Sequence, residues 1–169
     1  EIKKLSEAFL NNPLLIEVAR SNATNENVTQ KVYLIDQDNK HVLLSKLLTE
    51  NTTKQVIVFT KTKLTASRLA RQLVREGIAA DAIHGDKSQS ERIQALEAFK
   101  QGKVMALIAT DVAARGLDID QLPMVINYEI PSAPEDYVHR IGRTGRAGAL
   151  GEAISLVAPD EEKYLAEIE

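Results

Sequence analysis

No cysteine occurs in the 169 residues. Disulfides and thiolate metal sites are thereby excluded, which suits a reducing compartment. No apolar run approaches the roughly 18 residues of a membrane span, and the N-terminus lacks the charged, apolar and small-residue succession of a signal sequence. The expectation is a soluble, cytoplasmic protein without membrane contact. Long like-charge runs, low-complexity tracts and fixed-period repeats are absent too, so the chain should fold as a unit. Two phosphate-binding patterns are also missing. Without GxxxxGK[ST] there is no loop to wrap the β- and γ-phosphates of a nucleotide, and GxGxxG is absent as well. A self-sufficient P-loop ATPase and a conventional dinucleotide binder are excluded, so any triphosphate this chain meets is held by something else.

What is present is the length of one domain. The net charge is −3, so binding to nucleic acid would have to come from local clustering rather than the overall field. The first residue is Glu1 rather than Met, and EIKKLSEAFLNNP reads as a connection joined midway. A piece of a longer chain is expected, with 1–27 as a lead-in or interdomain linker and 28–169 as the domain.

From Val28 onward, short Val- and Ile-rich runs alternate with longer amphipathic stretches, the pattern of repeated βα units around a parallel sheet. Strands are predicted at 31–36, 55–60, 79–84, 104–110, 124–128 and 152–158. These runs lack alternation, as strands covered on both faces do. Helices are predicted over 41–48, with Val42, Leu44, Leu47 and Leu48 inward, and over 64–76, stopped by Gly77. A third is expected over 90–101, where Ser88 and Glu91 have capping-box spacing. A fourth starts at Pro134, and a last one near Asp160. The fold class is a doubly wound α/β domain of Rossmann or RecA-like kind, mainly parallel, with helices on both faces. Ligands of such sheets gather at the carboxyl ends of the strands.

Three segments there could carry chemistry. TDVAARGLDID (110–120) sets a hydroxyl, three acids and an arginine around a glycine that permits a tight turn, which suits phosphate or ribose contacts. A polar βα loop whose aspartates merely cap the next helix fits equally well. HGDKSQSERIQALEAF (84–99) puts Gln89 and Arg92 on one face of a first helical turn, beside unpaired N–H groups. The alternative is a solvated helix with Arg92 paired to a surface acid. HRIGRTGRAG (139–148) spaces Arg140, Arg143 and Arg146 by three among Gly142, Gly145 and Gly148. Three guanidiniums so placed repel unless an anion or distant acids compensate, and glycines allow close approach to phosphate; the other reading is a solvated basic turn. His139 lacks a neighbouring nucleophile, and His41 and His84 have no metal-ligand spacing, so no metal is assigned to the chain itself. TKTK (60–63) reads equally as a helix-leading loop or a phosphate contact.

Taken in order, the segments resemble one family, the C-terminal RecA-like domain of the DEAD-box ATP-dependent RNA helicases. VIVFTKTK (56–63) is similar to motif IV, QSER (89–92) to the QxxR element, LIATDVAARGLDI (107–119) to motifs V and Va, and YVHRIGRTGRAG (137–148) to motif VI. The stretch TNENVTQKVYLID is similar to bacterial members of the RhlE-like subgroup. The resemblance implies that Arg143 and Arg146 are arginine fingers for ATP, with Mg²⁺, bound on an N-terminal RecA-like domain of the same chain. It implies nucleotide or interdomain roles for Asp118, which approaches the ribose, for Arg115 and for His139. Gln89, Arg92 and Thr110, with Gly85 and Thr60 more weakly, match positions that hold the sugar-phosphate backbone of RNA, single-stranded or duplex. The parent would unwind or remodel RNA, and the fragment alone would be inactive and monomeric. Rival readings are a stand-alone RNA- or protein-binding module, and a domain of another superfamily 2 helicase.

Overall fold

A computed structural model describes residues 14–17 (backbone only), 28–50, 55–115, 117, 122, 124–141 and 151–168. Seven strands form one sheet: β1 (Leu14–Glu17), β2 (Val28–Leu34), β3 (Val56–Thr60), β4 (Ala80–Ile83), β5 (Ala106–Thr110), β6 (Met124–Asn127) and β7 (Gly151–Val157). Their spatial order is β1-β2-β7-β6-β3-β5-β4. All neighbours are parallel except β1, which runs antiparallel along β2 with Leu14 opposite Leu34. The range expected to be a lead-in thus supplies an edge strand.

The helices are α1 (Lys40–Glu50), α2 (Lys63–Arg75), α3 (Gln89–Lys100), α4 (Asp111–Arg115), α5 (Pro134–Ile141) and α6 (Glu162–Ile168). Helices α1 and α2 press Leu44, Leu48, Leu69 and Leu73 onto one face of the sheet, against Val58, Ile108 and Ile126. Phe99 of α3 and Ala113 and Ala114 of α4 cover the other face, over Phe59, Leu107 and Val125. The central strands β3, β5 and β6 are buried on both faces, which is why their sequences show no alternation. No described helix is long and apolar enough to cross a membrane.

Several expected boundaries move. β2 starts at Val28, three residues early, because its parallel ladder with β7 runs from Val28 opposite Gly151. The last helix is preceded by a 3₁₀ turn, Pro159–Glu161. Val42, expected inside, is 42% exposed, and Leu43 takes its place. Lys40 sets that phase. Its ammonium is wholly buried, bonded to the Tyr128 carbonyl at 2.8 Å and to the Glu161 carboxylate. Residues 40, 43, 44, 47 and 48 then fall on one helical stripe.

The capping box expected for α3 is formed, with Ser88 Oγ accepting from Glu91 N–H at 3.1 Å and Ser88 N–H donating to Glu91 Oε1 at 2.9 Å. At the end of α2, Gly77 has φ +87°; its N–H reaches the Val74 carbonyl, and Ile78 N–H reaches that of Leu73. A methyl at Gly77 would meet nothing within 4 Å, so its cost is purely conformational. Gly77→Ala should therefore destabilise the domain by about 1 kcal/mol, seen as a lower urea midpoint with an unchanged slope.

Candidate nucleotide and RNA interface

The parallel register brings the ends of three strands level. Thr60 pairs with Thr110, and Phe59 with Asn127. Past these ends lie the loop after β4, helix α4 directly after β5, and the C-terminal turn of α5. The segment read as a polar loop after Thr110 is, over its first five residues, this short helix α4.

Arg140 sits at the centre of the arrangement and faces inward, only 1% exposed. Its Nε and Nη2 donate to the two carboxylate oxygens of Asp111 at 2.6 and 2.8 Å, a bidentate pair. Nη1 donates to Asn127 Oδ1 at 3.1 Å and to the Glu129 carbonyl at 2.6 Å. The guanidinium lies 5.0 Å from the Phe59 ring centroid. Asn127 is held in turn, its Nδ2 donating to Ser155 Oγ at 3.0 Å. One of the three arginines spaced by three is thus buried and compensated by a distant acid. The signal was in the helix period: Tyr137, Arg140 and Ile141 are the buried residues of α5 and share one stripe. Asp111 and Asn127 carried no comparable signal, because their partner lies on another element.

His139, one residue earlier, is exposed in the last turn of α5. Arg115, at the end of α4, is 56% exposed and donates to Asp136 of α5 at 2.6 Å. The two helices are therefore joined twice, by Arg115–Asp136 at the surface and Arg140–Asp111 beneath it.

On the other side of Thr110 lies the start of α3. Gln89 is its exposed first residue. Arg92, one turn on, is half-buried, and its Nε is buried without a hydrogen-bond partner among the described residues. No acid among the described residues pairs with it. Buried donors are nearly always satisfied, which makes the unpaired Nε of Arg92 an exception at this helix start. Gly85 is exposed, and a side chain there would meet only Lys63 Cδ at 3.8 Å. Thr60 is fully buried, with its hydroxyl donating to the Thr62 carbonyl at 3.3 Å, while Thr110 is 8% exposed. Asp118, Arg143 and Arg146 lie outside the described residues.

His84 ends β4 beneath this loop. Asp86 N–H donates to its Nδ1 at 3.2 Å, so Nε2 carries the proton and donates to Ser67 Oγ at 2.7 Å. Burial and the Lys87 charge push its pKa below the ordinary 6.5, against the pull of Asp86, with lesser help from Lys63 and Arg92. The unfolded chain takes up this proton first as pH falls. The His84 contribution to stability is therefore full above about 6.5 and declines toward the lower pKa of the folded imidazole. An NMR titration should place the His84 midpoint below 6.5, and Lys87→Ala should raise it.

Removing Asp111 would strand the buried Arg140 guanidinium without its bidentate partner. Asp111→Ala should cost about 3 to 5 kcal/mol, measured by urea unfolding of the 169-residue chain.

Residues 39–148 match the family model of the helicase conserved C-terminal domain. The chain is 41% identical over 169 residues to the ATP-dependent RNA helicase RhlB of Pseudomonas syringae pv. tomato, covering all of this chain and 43% of that protein. A DEAD box protein of the hyperthermophile Methanococcus jannaschii has a similar structure, with a TM-score of 0.81 at 46% identity over 87% of this chain and 40% of that one. S. cerevisiae Dbp5 bound to RNA and ADP BeF3 matches with a TM-score of 0.76 at 35% identity, covering 86% and 38%. The chain spans 43% or less of the length of these three proteins.

Proposed function

Since this chain belongs to the DEAD-box RNA helicases, as their conserved C-terminal helicase domain, we propose that it completes an ATPase site rather than containing one. One observation carries the reading: the helicase match over 39–148 contains every residue assigned to nucleotide or RNA, while the chain has no phosphate-wrapping loop of its own. Among the described residues no group of three or more His, Asp or Glu is placed to hold a metal ion. The side chains assigned to phosphate on this face are guanidinium, hydroxyl and amide, which suit phosphate oxygens. ATP and its Mg²⁺ would therefore sit on an N-terminal RecA-like domain, supplying the phosphoryl group and neutralising part of its charge.

Arg143 and Arg146 then reach across the cleft as arginine fingers and stabilise the charge that develops on the transferred phosphoryl oxygens. They follow directly on α5, whose end is fixed by Arg140, so their starting point is rigid even though the reaction lies on another domain. His139 faces the cleft beside them as an interdomain contact, Arg115 closes the interface, and Asp118 approaches the ribose.

The RNA-binding surface is the start of α3 with the end of β5. Arg92 offers its guanidinium, Gln89 its amide and Thr110 its hydroxyl to backbone phosphate and ribose, and Gly85 lets the strand pass close. Thr60, being fully buried, supports the loop from beneath. These groups read no base edge, so binding is independent of sequence and weakens with salt. The Dbp5 structure bound to RNA and ADP BeF3 supports carrying both ligand classes to this chain. Closure of the two domains on ATP and single-stranded RNA would complete the site and separate a local duplex.

Joined to an N-terminal domain with a P-loop and a DEAD sequence, the chain should support RNA-stimulated ATP hydrolysis, and alone it should hydrolyse none. In the joined protein, Arg143→Ala or Arg146→Ala should lower turnover about 10³- to 10⁵-fold. Near-normal turnover in both variants would sink the finger role.

A further inference from the structure

The outer edge of the sheet carries a surface that nucleotide and RNA chemistry leave unused. Helix α2, KLTASRLARQLVR, holds Lys63, Arg68, Arg71 and Arg75 and no acidic residue, in a chain whose net charge is −3. Arg68, Arg71 and Arg75 are exposed and follow at spacings of three and four, so they share one stripe. Like charges at that spacing repel one another. None of the three has an ion-pair partner among the described residues.

Beside this stripe β4 ends the sheet, paired only with β5. Between α2 and β4 runs a groove of about 440 Å³, within the usual range of ligand sites. Ala70, Val74 and Ala82 give it an apolar floor, and Arg71, Arg75 and Lys87 a cationic rim. The one carboxylate in its lining, Asp81, already accepts the Ala82 N–H at 2.8 Å. Val74 is 55% exposed on the groove.

We propose that this groove binds an acidic, extended peptide segment of a partner protein. Carboxylates of the segment face Arg71, Arg75 and Lys87 and relieve their repulsion. An aliphatic side chain seats on Ala70, Val74 and Ala82. The outward Ala82 N–H of β4 is already held by Asp81, so recognition of the segment rests on the cationic rim and the apolar floor. RNA is the poorer fit, because among the described residues no aromatic ring lines the groove to stack a base. The surface does not rest on the proposed ATPase role and can be tested on this chain by itself.

The test is an amide NMR titration of the ¹⁵N-labelled chain with a synthetic peptide of alternating glutamate and leucine. A lysine–leucine peptide and oligouridine serve as competitors. The expected result is shifts confined to residues 70–75, 80–82 and 87. Affinity should fall about tenfold or more in the double variant Arg71→Glu, Arg75→Glu, and also in Val74→Ser. All three side chains are exposed, and an unchanged spectrum away from the groove confirms that the variants are folded. Absence of shifts at about millimolar peptide, or equal affinity in the arginine double variant, overturns the proposal. Displacement of the peptide from the same amides by oligouridine also overturns it, and makes the groove an RNA surface.

Discussion

A guanidinium withdrawn from water organises the functional end of this domain. Arg140 reaches Phe59 on β3, Asp111 at the start of α4, Asn127 at the end of β6 and the Glu129 carbonyl beyond it. Through Asn127 it also reaches Ser155 on β7. Burying such a cation is costly unless its donors are filled, and here four of its five N–H groups have acceptors. The result is a rigid post. The last turn of α5 is thereby tied to α4, β3 and β6 at once.

Arginine is used here in contrasting settings, and its surroundings decide its task. Arg140 is buried with four of its five N–H groups engaged, so it contributes geometry. Arg115 is exposed and held by one carboxylate, a surface tie of small intrinsic value that a competing anion could replace. Arg92 is half-buried with an empty donor, which leaves it open to an acceptor. Arg71 and Arg75 stand in water beside an apolar groove. A net charge of −3 conceals all of this, because placement and not the sum determines what each cation meets.

Much of the fold was legible in the sequence because its signals are local. Apolar runs such as VIVFT and ALIAT mark strands buried on both faces, and Ser88 with Glu91 marks a helix start. Spatial order was not legible. Nothing near Val28 says that it will lie beside Gly151, and this pairing moved the start of β2. Leu14–Glu17 escaped notice because a short edge strand has no pattern of its own. Val42 was misplaced because the phase of α1 is set by a buried lysine whose acceptors lie about 90 and 120 residues away. Likewise, the spacing of Arg140, Arg143 and Arg146 was visible, but not that the first of them has its acid on another element. Gln89 and Arg92 were readable as a pair because helix geometry alone puts them together; the empty Nε of Arg92 was not.

The position of β7 between β2 and β6 bears on how the chain is assembled. A nascent chain emerging from its N-terminus can form β3, β4, β5 and β6 with their helices in order. β1 and β2, which precede these strands within the domain, have no place in that sheet until β7 bridges them to it. The earliest strands to appear are thus among the last to be secured, and Lys40, whose carboxylate partner is Glu161, waits equally long. Such long-range closure is slow compared with local contacts, and until it happens the apolar edges of β2 and β6 stay open. Completion of the sheet therefore coincides with completion of the domain.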